Sequence, residues 1–209
     1  FCEHRLCAWV VEPSNAWSNI GYVLVGLWIL QRCRPWPGNP RTAIGIAAIL
    51  LGLGSFAFHA TGVRVFEIVD VAGMYLMSGL GLTFALGRLF AWPAARSVTF
   101  FVGLVLASSL LMIVLGNDGI VVFGAQVFSV VGLEVALRHT NPPGAVVWLL
   151  RSVGAVSLGF VIWLMDLHGP LCDPDNHLVT GHAVWHVLTA LSLAFFYRFQ
   201  EQVQGTTAS

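Results

Sequence analysis

His182 and His186 stand four residues apart, a spacing that puts both imidazoles on one face of a helix. Two such rings fill two positions of a tetrahedral zinc, and His59 can supply the third. Three protein nitrogens with one position left for water is the pattern of a catalytic zinc. Zinc bound so lowers the pKa of water from about 15.7 to about 7, which provides a nucleophile at neutral pH. In the HEXXH motif the general base lies between the histidines, but here the intervening residues are Ala183, Val184 and Trp185. The base must come from elsewhere, and Asp70 is the candidate. Ser55 lies one helical turn before His59 on the same face, where its hydroxyl can donate to an oxygen that gains negative charge. Isolated histidines near helix ends are ordinarily interfacial side chains bonded to water or backbone, and His4, His139, His168 and His177 are read that way. Paired histidines can also hold haem b, a use that needs neither the carboxylate nor the serine.

The scaffold for these groups follows from composition. Hydrophobic residues make up 57% of the 209 residues and charged residues only 10%, with a mean hydropathy of +0.80. A soluble domain carries roughly 25% charged residues, so this chain could not wet its own surface. The formal net charge is zero, which leaves no basic stripe for nucleic acid. The N-terminal segment lacks the positive n-region of a secretory signal, and none is expected.

Seven apolar stretches approach the roughly 20 residues that a bilayer-spanning helix needs. They run over residues 16–30, 43–59, 66–86, 98–115, 120–136, 146–167 and 179–197. The runs are continuous and lack the ten-residue alternation of barrel strands. The expected fold is therefore all-α, a polytopic bundle of seven transmembrane helices forming one domain over 1–209. Every basic residue is arginine. If seven spans alternate, Arg32, Arg34, Arg41, Arg88, Arg96, Arg138, Arg151 and Arg198 share one side, while Arg5 and Arg64 lie on the other. By the positive-inside tendency, residues 1–14 form an outer segment and 199–209 a cytoplasmic tail.

The outer side then collects Glu3, Glu12, Asp118, Asp166, Asp173 and Asp175 with Cys2, Cys7 and Cys172, whereas Cys33 alone lies inside. A disulfide from Cys2 or Cys7 to Cys172 suits an oxidising outer compartment. The same topology brings His59, Asp70, His182 and His186, from three separate spans, to one depth near the outer surface. Ionisable groups inside a bilayer are costly and point to function. Glycines within the spans, such as Gly52, Gly54, Gly79 and Gly81, are read as contacts between closely packed helices.

Several of these elements resemble the alkaline ceramidase family. They are Cys2-Glu3, then Glu12-Pro13-Ser14-Asn15-Ala16-Trp17-Ser18-Asn19, then Gly54-Ser55-Phe56-Ala57-Phe58-His59, then Asp70, then His182-Ala183-Val184-Trp185-His186. They occur in that family's order, within a superfamily of seven-helix membrane hydrolases that includes the adiponectin receptors. The resemblance implies zinc on His59, His182 and His186, with Ser55 and Asp70 beside it as catalytic groups. It implies an enzyme that cleaves the N-acyl amide of a ceramide-like lipid to a sphingoid base and a fatty acid; the topology above makes it an integral membrane protein with its site towards the exoplasmic side. It also implies a calcium site near the N-terminus that Glu3 and Glu12 would match. Arg5 is an awkward neighbour for a cation, and without calcium Glu3 or Glu12 would pair with Arg5 and brace the segment directly. Two other readings stay open: a related zinc hydrolase acting on an ester or another N-acyl lipid, and a non-catalytic zinc-containing receptor.

Overall fold

The computed structural model describes residues 1–33, 39–116 and 119–205. Arg34, Asp118, residues 206–209 of the expected tail and the His168 side chain lie outside the described residues. Among the described residues all regular structure is helical: α1 (Pro13–Ser18), α2 (Ile20–Arg32), α3 (Thr42–Thr61), α4 (Arg64–Leu89), α5 (Ala94–Leu115), α6 (Gly119–Ala136), α7 (Ala145–His168) and α8 (Gly181–Gly205). Helices α3 to α7 are long and apolar enough to cross a membrane. Their exposed faces agree with that. On α5, Val98, Val102, Leu106, Leu110 and Val114 recur every four residues and all stand exposed, an apolar stripe that water would not tolerate but lipid would.

The stretch 16–30 falls on α1 and α2, which are separated only by Asn19. The Asn19 N–H turns back to Ala16 O at 3.2 Å, and its side-chain Nδ2 donates to Asn15 O at 2.8 Å. A side-chain amide that competes for a helix carbonyl loosens the ladder at that point. The last stretch also differs from expectation at both ends. Thr180 accepts the Ala183 N–H on Oγ1 at 3.0 Å, an N-cap that starts α8 at Gly181. At the other end α8 runs on through residues 199–205, where a tail was expected, because Phe199 and Val203 bury their side chains in the core beside Phe196.

That core lies between α2, α3, α4, α7 and α8, around Tyr22, Ile29, Ile44, Leu51 and Tyr197. Helices α2 and α3 touch backbone to backbone. A Cβ on Gly26 would come within 2.7 Å of Gly45 O, so no larger residue fits there. Gly52 is equally confined, by Tyr22 and the Asn19 carbonyl. This close crossing sets the height of α3 against the break at Asn19, and with it the position of His59.

Candidate metal centre

Three helices and the N-terminal segment build the centre. On α3, Ser55 and His59 are buried one turn apart, 1% and 0% exposed. The helix ends just beyond, at Gly62 with φ of 65°, a left-handed cap that glycine adopts without strain. Residues 11 and 12 pair with this end: Val11 N–H donates to Ala60 O and Glu12 N–H to His59 O, both at 3.1 Å. The N-terminal segment thus satisfies carbonyls that a helix C-terminus leaves without partners.

The same segment orients two of the histidines. Glu12 Oε2 lies 2.7 Å from His59 Nδ1, and Glu12 Oε1 accepts from Arg5 Nε at 3.0 Å. Burial alone would push the Glu12 carboxyl up. Hydrogen bonds from His59, Arg5 and Asn15 outweigh it and hold the group below its ordinary 4.5. His186 Nδ1 lies 3.1 Å from Asn15 O, the carbonyl that the Asn19 break has freed, and 2.8 Å from Ser18 Oγ. A carbonyl accepts only, so His186 carries its proton on Nδ1, as does His59 facing a carboxylate. Both rings then present the Nε2 lone pair inward, and partners of this kind are what fix a metal-binding imidazole.

His182 completes the group from the first turn of α8. Its Nε2 lies 3.3 Å from His59 Nε2, and a ligand atom from each of the three buried residues falls within 4.8 Å of the others. Inward lone pairs at that range repel one another unless a cation or a proton sits among them. The donor set of three imidazoles suits zinc. The residues present therefore fit the metal that their spacing suggests.

Ser55, Asp70, His182 and His186 all line one cavity. Asp70 is half-buried there on α4. Ser55 Oγ makes no well-formed hydrogen bond but lies within interaction range of the Asp70 carboxyl. The cavity measures about 290 Å³ and runs inward between α4, α6, α7 and α8 past Met74, Met77 and Val127 to Phe196. From His186 to Phe196, at 1.5 Å per helical residue, it is about 15 Å deep. Half of a 30 Å hydrocarbon core is the same length. Arg64 and Glu67, an ion pair at 2.7 Å, also line this cavity.

Glu3 does not face the histidines. Its Oε1 and Oε2 accept the Ser14 and Asn15 N–H groups at 2.9 and 3.0 Å, so it caps the start of α1 from eleven residues away. Its Oε1 is also 3.1 Å from His177 Nδ1. Every carboxylate oxygen of Glu3 and Glu12 thus meets an N–H donor. Arg5 supplies a positive charge beside Glu12. The disulfide joins Cys2 to Cys172, and Cys7 is free and exposed. Sequence reasoning marked Glu12 as a cation ligand or, without calcium, as a partner for Arg5, which it is, and missed its grip on His59. It also missed the Asn15 carbonyl, whose availability follows from a helix break that no residue pattern announces.

A family model described as Ceramidase matches residues 1–208. Alkaline ceramidase YPC1 of Saccharomyces cerevisiae is 25% identical over 241 aligned residues, which cover 99% of this chain and 76% of the yeast protein.

Proposed function

The chain belongs to the ceramidase family of amide hydrolases, and from that premise we propose that it is a zinc-dependent intramembrane amidohydrolase cleaving ceramide-like lipids to a sphingoid base and a fatty acid. The observation that carries the reading is a group of three buried histidines, two of which, His182 and His186, line the head of an apolar cavity one leaflet deep. The substrate class rests on the family and on the name of the yeast relative.

In this reading His59, His182 and His186 hold the zinc. Bound there, zinc acidifies water and polarises a carbonyl. Asp70 takes the proton released by the attacking water and returns it to the leaving nitrogen. Ser55 Oγ donates to the carbonyl oxygen as it gains charge. The walls below bind the acyl chain and keep bulk water from the amide. No step is assigned to calcium, since the oxygens of Glu3 and Glu12 are engaged elsewhere.

The seven-span arrangement belongs to the same proposal. α1 and α2 together run from Pro13 to Arg32, about 30 Å at helical rise, and α8 packs along α7. With these as first and last spans, the arginine bias puts the N-terminus and the metal centre on the exoplasmic side. The test is a substrate panel on the purified chain: a long-chain ceramide against an ester-linked lipid of matched chains. Fatty acid released from the ceramide supports the assignment. Release from the ester alone would move the chain to another branch of lipid hydrolysis.

A further inference from the structure

His59 and His186 each have Nδ1 held by an acceptor, but His182 does not. Its Nδ1 is buried and meets no hydrogen-bond partner in a residue only 5% exposed. An imidazole that turns Nε2 to a cation carries its proton on Nδ1, and an N–H left unpaired in the interior is destabilising.

An acceptor without a partner lies against the residue that precedes His182. Asp166, near the end of α7, is 1% exposed. Its Oδ1 accepts the Gly181 N–H at 2.8 Å, while its Oδ2 is buried with no partner. Gly181 immediately precedes His182, and a Cβ at that position would collide with Asp166 Cβ. Only glycine lets the carboxylate approach the first turn of α8 so closely. Trp163, one turn earlier on α7, has its ring centroid 5.9 Å from that of His182, so the same face of α7 looks onto the histidine.

We propose that Asp166 is the positioning residue for His182, its Oδ2 accepting from Nδ1–H directly or across one water while its Oδ1 caps α8. The inference rests on the zinc reading of the site. It ties α7, which contributes no ligand, to the metal centre, and it places a carboxylate behind a second histidine.

Asp166→Asn separates the two tasks. The amide oxygen still caps Gly181, but an NH2 replaces the acceptor that His182 needs. Zinc affinity of the purified full chain is measured by competition with a chromophoric chelator, in wild type, Asp166→Asn, His182→Ala and the double variant, alongside the melting temperature of each metal-free protein. Asp166→Asn is expected to weaken zinc 10- to 100-fold with an unchanged metal-free melting temperature, and to add no further loss in the His182→Ala background. Wild-type zinc affinity in Asp166→Asn overturns the proposal. So does an equal loss with and without His182, which also decides the matter if the variant proves less stable. A wild-type chain that binds no zinc fails at the earlier step, and the zinc reading falls with the proposal.

Discussion

Glu12→Gln tests the organisation of the site in a way that can be worked through atom by atom. The Glu12 carboxylate is 2% exposed and accepts on both sides, from His59 at 2.7 Å and from Arg5 at 3.0 Å. A glutamine has one acceptor oxygen and one NH2. Whichever way it turns, the NH2 meets a donor, Arg5 Nε or His59 Nδ1, and one buried hydrogen bond is lost. A buried donor left without its charged acceptor costs about 1–3 kcal/mol. Loss of the partner behind a metal-binding histidine costs about 10- to 100-fold in metal affinity, which is about 1.4–2.8 kcal/mol and agrees. The assay is zinc competition at neutral pH on protein that folds, with melting of the metal-free form as its companion. The Glu12 carboxyl titrates below its ordinary range, so it is charged throughout the neutral range. Its contribution is complete above pH 4.5 and is lost only as pH falls through the lowered value. The charge that the variant removes is therefore present throughout the assay's pH range. Unchanged zinc affinity and unchanged melting would refute the role assigned to this carboxylate.

Ser55→Ala should lower turnover roughly 10²- to 10³-fold, the cost of one oxyanion donor, with zinc content unchanged; zinc lost from this variant would contradict the assignment. Because the oxygens of Glu3 and Glu12 face N–H donors, a calcium-selective chelator should leave melting temperature and hydrolysis as they were, and calcium-dependent stabilisation would show an ion site after all. Cys172→Ser should destabilise the chain by about 2–5 kcal/mol, since the disulfide closes a loop of 170 residues, whereas Cys7→Ser should melt as wild type. Phe196→Ala opens the floor of the cavity and should shift preference towards longer acyl chains, measured as the ratio of kcat/KM for long and medium N-acyl substrates.

The helical class was legible because continuous apolar runs leave no strand alternative, and the runs on α3 to α7 coincide with the helices within a few residues. His182 and His186 were legible because four residues is a local spacing that any helix converts into a shared face. His59 and Asp70 needed only the depth argument from alternating spans. What stayed hidden depends on contacts between distant segments. Cys2 and Cys7 are equivalent by sequence, and the choice is made by Glu3, which grips the Ser14 and Asn15 N–H groups, together with His4 N–H on Pro174 O at 2.9 Å. The continuation of α8 past Tyr197 was obscured by its polar residues, Arg198, Gln200, Glu201 and Gln202, although Phe199 and Val203 carry the buried face. Asp166 looked like one more outer acid, because nothing local to α7 tells that Gly181 of α8 lies against it.

The central claim is a zinc held by three imidazoles with one position open. Protein purified without exposure to chelators, analysed for metal and by X-ray absorption at the zinc edge, tests it directly. The expected result is zinc near one per chain with nitrogen neighbours at about 2.0–2.1 Å and one oxygen from water, and loss of that metal in His186→Ala. Absence of zinc from the wild-type chain, or a fourth protein ligand closing the site, would contradict it.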